Sequence, residues 1–225
     1  MKAADIGYLA SGIAHEFYNN LQVMASLLSL FENKKIFDVM HINKLIRDLR
    51  KEIYRATKTI DNFRSIRDRE EVLSEVELDT MIRELIDLVK RRLNDHDIEI
   101  EKSIGKIGKV RINAAHIQTI IVNLLRNATD AVELQKGKDK RIGISLQRKQ
   151  NGIIELSVKD SGQGISPENQ KNLFLPYFTT KGTDNMGIGL FWVNRIISSI
   201  GGTIEVDPKN DWGGATFSAT FPTKK

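Results

Sequence analysis

The stretch VKDSGQGI, residues 158–165, has residue types that could bind a base. A strand pattern ends at Asp160, and Gly162 and Gly164 permit a tight turn that a ligand can approach closely. A carboxylate at the end of a strand can accept a hydrogen bond from an exocyclic amine such as that of adenine. Taken alone, the stretch fits an ordinary turn equally well.

Two further glycine-containing stretches follow. In MGIGL, residues 186–190, glycines open a predicted helix, and the first N–H groups of a helix can bind phosphate. The same glycines also fit a simple helix cap. GGATF, residues 213–217, places Thr216 in the last predicted strand.

Two asparagines lie one helical turn apart in NLLRNATDA, residues 123–131. Asn123 and Asn127 therefore share one helix face, beside apolar neighbours. They fit either polar surface positions or the edge of a pocket. An amide oxygen is also a suitable ligand for Mg²⁺, which prefers oxygen ligands and retains waters and phosphates.

His15, in GIAHEFYNNL (12–21), is the candidate nucleophile of the N-terminal region. It follows the apolar residue Ile13 by two positions and so points away from the apolar side of the helix. An outward histidine is usually inert, and a metal site is disfavoured because no second histidine lies three or four residues away. A neutral imidazole is nevertheless a good nucleophile near neutral pH.

The elements that must position these residues fall into two regions. Apolar residues alternate at spacings of four and three over 3–31 and again over 42–63, with a charged interruption at 32–40. This pattern predicts an antiparallel helical hairpin, and two hairpins would bury both apolar seams as a dimeric four-helix bundle. The segment 67–77 is charged and aperiodic at its centre, so it is interpreted as a linker.

The second region predicts an α/β sandwich with an antiparallel or mixed sheet. The dipeptide Asn151-Gly152 is a strong hairpin signal between two strand patterns. The predicted fold class is therefore α+β, with a helical domain at 1–68, a linker at 69–75 and the sandwich at 76–225. Its predicted helices are 81–93, 114–134 and 187–200, and its predicted strands are 98–104, 109–113, 141–149, 152–160, 202–208 and 214–222.

Composition excludes several classes of protein. The 225 residues include no cysteine, which rules out disulfides and cysteine-based zinc sites, and no apolar run approaches the roughly 18–20 residues of a membrane span. The net charge of +5 is spread among interleaved acids, which favours a solvated surface over a nucleic-acid interface. We expect a cytoplasmic protein.

In combination, the C-terminal motifs resemble the ATP-binding domain shared by gyrases, Hsp90-type chaperones, histidine kinases and mismatch-repair ATPases (the GHKL or Bergerat fold). NLLRNATDA resembles its N box, DSGQGI its G1 box, LFLPYFTTK its F box and GIGL its G2 box. The match is specific because four motifs follow one another at family-like spacing across about 100 residues.

The resemblance implies that ATP and Mg²⁺ are the cofactors. Asn127 would coordinate Mg²⁺, Asp160 would bind the adenine amine, Lys181 would reach the phosphates, and Thr216 would lie near the adenine, with water between them. The full set of residues that the resemblance assigns to cofactor binding is Asn123, Asn127, Asp160, Gly162, Gly164, Ile165, Lys181, Gly187, Ile188, Gly189, Leu190 and Thr216.

GYLASGIAHEFYNNLQVM resembles the H box of sensor histidine kinases, closest to the nitrogen-regulation type. The resemblance implies that His15 accepts a phosphoryl group from ATP, that Glu16 is its general base, and that Asn19 positions a water for phosphatase activity. The sequence departs from the family at Asn20, where a helix-bending proline is usual.

The predicted function is an ATP-dependent histidine kinase that passes the phosphoryl group to an aspartate of a response-regulator receiver domain. The predicted partners are a second copy, bound through the hairpin, and that receiver domain, with no direct nucleic-acid contact. Three alternatives remain: a catalytically silent relative, an ATP-gated clamp, and a nucleic-acid binder with strong salt dependence. We expect a truncated core, attached to a membrane only through segments absent from this sequence.

Overall fold

A computed structural model describes residues 18, 21–29, 42, 46, 48–49, 73–94, 97–135, 139–176, 178–180 and 187–223. The chain divides into two compact units, Met1–Arg69 and Glu70–Lys225. Every described residue of the first unit is helical, but the hairpin connection and the dimeric bundle predicted there lie outside the described residues. None of the described helices is long and apolar enough to cross a membrane.

The second unit is built of helices and strands that alternate along the chain, and the prediction of an α/β unit with a mixed sheet is confirmed. The helices are α1 (Leu78–Asn94), α2 (Ala114–Glu133), α3 (Pro167–Gln170) and α4 (Gly189–Ser199). The strands are β1 (Ser74–Glu77), β2 (Glu99–Ile104), β3 (Lys109–Ile112), β4 (Arg141–Arg148), β5 (Ile153–Asp160), β6 (Thr203–Asp207) and β7 (Thr216–Pro222).

Five strands form the main sheet, in the order β2-β4-β5-β7-β6. The β2–β4 pair is parallel and the other three pairs are antiparallel. The predicted β4–β5 hairpin is confirmed: Asn151 and Gly152 have φ of 59° and 74°, the left-handed conformation that asparagine and glycine tolerate best.

The helices α1, α2 and α4 pack on one face of this sheet. Alternate residues of β4, β5 and β7 are buried against them, as the two-residue repeat of a strand requires. The last inward-facing residue of β5 is Asp160, so the alternation that builds the core also delivers a carboxylate to the end of the strand.

Strand β1 was not predicted from the sequence. Its residues belong to the charged segment interpreted as a linker, and only Val76 among them is apolar. The strand forms because Ser74–Glu77 pair antiparallel with β3, in a register that places Val76 opposite Val110. A strand with so little local pattern depends on its distant partner.

Candidate functional site

Asp160 is held rigidly at the end of β5. Its side chain is only 4% exposed, and Oδ1 accepts hydrogen bonds from the backbone N–H groups of Gly162 at 2.8 Å and Ala215 at 3.2 Å. The backbone N–H of Asp160 donates to the carbonyl oxygen of Ala215 at 2.9 Å. These bonds fix the orientation of a buried acceptor at the rim of the sheet.

The two glycines after Asp160 are required by the structure. A Cβ on Gly162 would lie 2.8 Å from the Cβ of Ala131 in helix α2. Gly164 has φ of +74°, and a Cβ there would lie 2.7 Å from the carbonyl oxygen of Pro208. The sequence-based prediction of a tight turn therefore agrees with the geometry of both residues, because neighbouring protein atoms leave no room for a side chain at either one.

Helix α2 forms the neighbouring wall. Gln135, which follows its C-terminal end, donates a hydrogen bond from Nε2 to the carbonyl oxygen of Gly162 at 3.3 Å. Because Ala131 touches Gly162 as well, the turn and the end of α2 are in direct contact.

Asn123 connects α2 to the start of α4. It is 5% exposed, and its Nδ2 donates to the carbonyl oxygen of Thr119 at 2.8 Å. A Cβ on Gly189 would lie 3.0 Å from Oδ1 of Asn123, so glycine permits the two helices to approach this closely. Residues 66 positions apart (189 − 123) thus lie in direct contact.

The first turn of α4 lacks a side-chain cap. Its N-cap residue is Ile188, no acidic residue lies in the first turn, and Gly187 before it has φ of +64°. The first N–H groups of a helix have no partner within the helix. Together with the helix dipole, they favour an anion at this point.

Arg126 was missed from the sequence. Its Nη2 lies 3.4 Å from Oδ1 of Asn123 and 2.9 Å from the position of a Cβ on Gly189, so the guanidinium rests on the start of α4. Among the described residues no carboxylate pairs with it. The available signal was a basic residue three positions after Asn123, on the same helix face.

The position of Thr216 follows from the pairing of strands β5 and β7. Thr216 pairs with Lys159 in the β5–β7 ladder, and paired residues share a face of the sheet. Asp160, the next residue, therefore points to the opposite face. Ala215 is the residue that contacts the carboxylate. The sequence pattern did not specify which residue of GGATF faces inwards, and the expectation that Thr216 lies near the adenine, with water between them, stays a prediction.

The remaining predicted residues divide into two groups. Asn127 is half-buried and lies one helical turn after Asn123. The backbone N–H of Ile165 donates a hydrogen bond to the carbonyl oxygen of Pro208 at 2.9 Å. Leu190, in the first turn of α4, is partly buried against the core. The predicted residues that lie outside the described part of the chain are His15, Glu16, Asn19 and Lys181.

The second unit is an α/β sandwich. At one end it has a buried carboxylate, a glycine turn and a helix that begins without a side-chain cap. This combination is typical of a nucleotide-binding class of protein. Residues 112–225 match the family model described as histidine kinase-, DNA gyrase B-, and HSP90-like ATPase. The chain belongs to this family, and its second unit is the family's ATP-binding domain.

Several relatives share more than this domain. The sensor histidine kinase ZraS of Escherichia coli (strain K12) is 27% identical over 223 residues, covering 98% of this chain and 46% of ZraS. The sensory histidine kinase/phosphatase NtrB of Rhizobium leguminosarum bv. phaseoli is 30% identical over 242 residues, covering 99% of this chain and 60% of NtrB. The chain spans about half the length of the curated relatives it matches.

A solved structure is similar in fold to this chain. It is the histidine kinase ThkA in complex with the response regulator protein TrrA. The similarity has a TM-score of 0.73 at 23% identity and covers 98% of this chain and 63% of the ThkA chain.

Proposed function

We propose that this chain is the catalytic core of an ATP-dependent protein-histidine kinase, with His15 as the phosphoryl acceptor. The carrying observation is a buried, oriented Asp160 beside a glycine turn and an open helix start, in a chain whose relatives along 98% of its length are named sensor histidine kinases. An alignment of that length cannot omit residues 12–21, where His15 lies.

The base would bind at Asp160. A carboxylate only accepts hydrogen bonds, so it suits the exocyclic amine of adenine and not the 6-oxo group of guanine. The glycines at 162 and 164 would let the base lie close to the backbone. The phosphates would then extend along α2 to the start of α4, where Arg126, Lys181 and the first N–H groups of α4 supply positive charge.

The residues present fit a Mg²⁺ ion that binds together with the nucleotide. The described residues contain no group of three histidine or carboxylate side chains that could hold a metal. They do provide the half-buried amide of Asn127 on the same helix face as Asn123. Asn127 would hold Mg²⁺, which when bound neutralises phosphate charge.

In the transfer step, a ring nitrogen of His15 attacks the γ-phosphorus, the bond to the β–γ bridging oxygen breaks, and ADP leaves. Glu16 would accept the proton of the imidazole or fix its tautomer. The phosphoryl group would pass next to an aspartate of a response regulator, and Asn19 would position water for its hydrolysis. Positioning and charge neutralisation carry most of the catalysis in such reactions.

The proposed assembly is a homodimer formed through the N-terminal hairpin, working in the cytoplasm with a response-regulator receiver domain. The solved ThkA structure is a complex with a response regulator protein, and NtrB is named both a kinase and a phosphatase. These relatives support the proposed partner and the proposed reverse reaction.

Incubation with ATP labelled at the γ-phosphate tests the proposal. We expect acid-labile, alkali-stable label on the parent and none on His15→Ala, which should still bind ATP. Asp160→Asn is the matched control, because it should lose both ATP binding and label. Equal labelling of the parent and His15→Ala would refute the assignment. ATP binding by a parent that takes up no label would instead support the catalytically silent relative.

A further inference from the structure

The loop between β6 and β7, residues 208–215, packs on the turn that follows Asp160. The carbonyl oxygen of Pro208 accepts from the N–H of Ile165 at 2.9 Å. Gly214 approaches Asp160 so closely that a Cβ on it would lie 2.2 Å from the carbonyl oxygen of Asp160 and 2.3 Å from Oδ1. The 208–215 loop and the carboxylate therefore hold each other in place.

Asn210 organises the backbone of this loop. It is 9% exposed, its N–H donates to the carbonyl oxygen of Gly214 at 2.8 Å, and its carbonyl oxygen accepts from the N–H of Gly213 at 2.9 Å. These two bonds close the turn that presents the N–H of Ala215 to Oδ1 of Asp160. A substitution of Asn210 would thus alter the position of the Asp160 carboxylate, because only a short segment of backbone separates Asn210 from Ala215.

The side chain of Asn210 also ties the loop to the sheet. Oδ1 accepts from the N–H of Trp212 at 2.9 Å, and Nδ2 donates to the carbonyl oxygen of Asp160 and to Oγ1 of Thr216, both at 3.1 Å. A backbone N–H requires an acceptor and a carbonyl requires a donor, so these partners determine the orientation of the amide. The backbone N–H, the backbone carbonyl, Oδ1 and Nδ2 of Asn210 therefore all make hydrogen bonds.

The loop continues onto the outer face of the sheet through Trp212. Its indole lies beside the cations of Arg141 and Lys159, whose charged ends are 4.5 Å and 4.1 Å from the ring centroid. It also lies over Gly143, where a Cβ would come within 3.0 Å of the ring. The 208–215 loop is therefore anchored both on this face and at Asp160.

We propose that Asn210 is a positioning residue that determines selectivity for a 6-aminopurine. The inference rests on the proposed binding of ATP with its base at Asp160. The carboxylate discriminates an amine from an oxo group only while its oxygens point at the base, and Asn210 fixes both the backbone of Asp160 and the N–H of Ala215 that orients Oδ1. No part of Asn210 needs to touch the nucleotide for this effect.

The test compares the affinities of ATP and inosine triphosphate by isothermal titration calorimetry. Inosine triphosphate differs from ATP only in the purine, with an oxygen at position 6 and a proton on N1. Asn210→Asp preserves size and the acceptor for Trp212 but loses both donors of Nδ2. We expect ATP to bind about tenfold more weakly, which is about 1.4 kcal/mol, and inosine triphosphate to change by less than about twofold.

Asn113→Ala is the matched control. The side-chain oxygen of Asn113 accepts from the N–H of His116 at 3.3 Å, so this substitution also removes a side-chain bond to the backbone. Asn113 caps the start of α2, 14 residues (127 − 113) before Asn127, roughly 21 Å along the helix. The control should lower the melting temperature while leaving the ratio of the two affinities unchanged.

If Asn210→Asp lowers the affinities for ATP and inosine triphosphate equally, Asn210 only maintains the fold. That result would overturn the inference but would not contradict the proposed ATP-binding function. A parent that does not bind ATP would overturn both the inference and the proposed function. If circular dichroism shows that Asn210→Asp is unfolded, Asn210→Ser replaces it as the test, because serine is neutral and smaller. We expect the same fall in the ratio of ATP affinity to inosine triphosphate affinity in that variant. An unchanged ratio in that variant would equally overturn the inference.

Discussion

Gly214→Ala perturbs the site at its tightest contact. The added Cβ would lie 2.2 Å from the carbonyl oxygen of Asp160, 2.3 Å from its Oδ1 and 2.5 Å from the backbone nitrogen of Gly162. Two of these atoms are backbone, so no flexible side chain can move aside to accommodate all three contacts. The backbone at residue 214 must shift by roughly 1 Å to restore normal van der Waals distances.

The magnitude follows from the bonds that such a shift breaks. The bond from the N–H of Ala215 to Oδ1 of Asp160 is already 3.2 Å long, and a 1 Å displacement takes it out of hydrogen-bonding range. Overpacking of this kind costs about 1–3 kcal/mol of folding free energy. Losing a charge-assisted donor from the carboxylate should weaken ATP binding by at least about tenfold, or about 1.4 kcal/mol.

Gly213→Ala is the matched control for that prediction. Its φ of +87° disfavours any side chain, but a Cβ there would meet nothing within 4 Å. We expect it to lose about 1–2 kcal/mol of stability through its left-handed backbone alone, with ATP affinity nearly unchanged. Calorimetric titration and urea unfolding of both variants measure the two effects. If Gly214→Ala binds ATP as tightly as the parent protein does, the contact between residue 214 and Asp160 does not control ATP binding.

Three further predictions concern other parts of the second unit. Arg126→Ala should weaken ATP more than adenosine in competition binding, since the guanidinium rests where phosphate is proposed to bind; equal weakening would contradict this role. Thr216→Val removes the hydroxyl that accepts one of the two hydrogen bonds from Nδ2 of Asn210, so it should weaken ATP binding less than Asn210→Asp does, and an equal or larger loss would contradict this order. Asp79→Ala should cost about 1 kcal/mol at pH 7 in chemical denaturation, because Oδ1 of Asp79 accepts from two backbone N–H groups in the loop before β3.

The loss of folding free energy caused by Asp79→Ala should also depend on pH. Burial opposes ionisation of this carboxyl, but hydrogen bonds from Gly108, Asp79 itself and Ile107, with the charge of Arg83, outweigh it and lower its pKa below 3.8. A carboxyl whose pKa is lower in the folded protein stabilises that state above its unfolded pKa, and the effect disappears as the pH falls through the folded value. The difference between the parent and Asp79→Ala should therefore be constant near neutrality and shrink below pH 3.8. A difference that grew on acidification would contradict this sign.

Most elements of the second unit were predictable because their signals are local. The apolar face of α2 and the two-residue alternation of β4 and β5 are patterns within one segment. The turn at Asn151-Gly152 is specified by residues that tolerate positive φ. Strand β1 lacked such a signal, because a charged segment becomes a strand only when β3 supplies its hydrogen-bonding partners.

The sequence by itself determined the residue types of the site: a carboxylate at a strand end, two glycines in the turn that follows it, and glycines that open a helix. These properties depend on residue type and near neighbours. Only the tertiary structure decided that Ala215 and not Thr216 contacts Asp160, that Arg126 lies on the start of α4, and that Asn210 holds the 208–215 loop to the carboxylate. The reason is that each depends on strand register or on contact between segments about 50 residues or more apart, which no short pattern specifies.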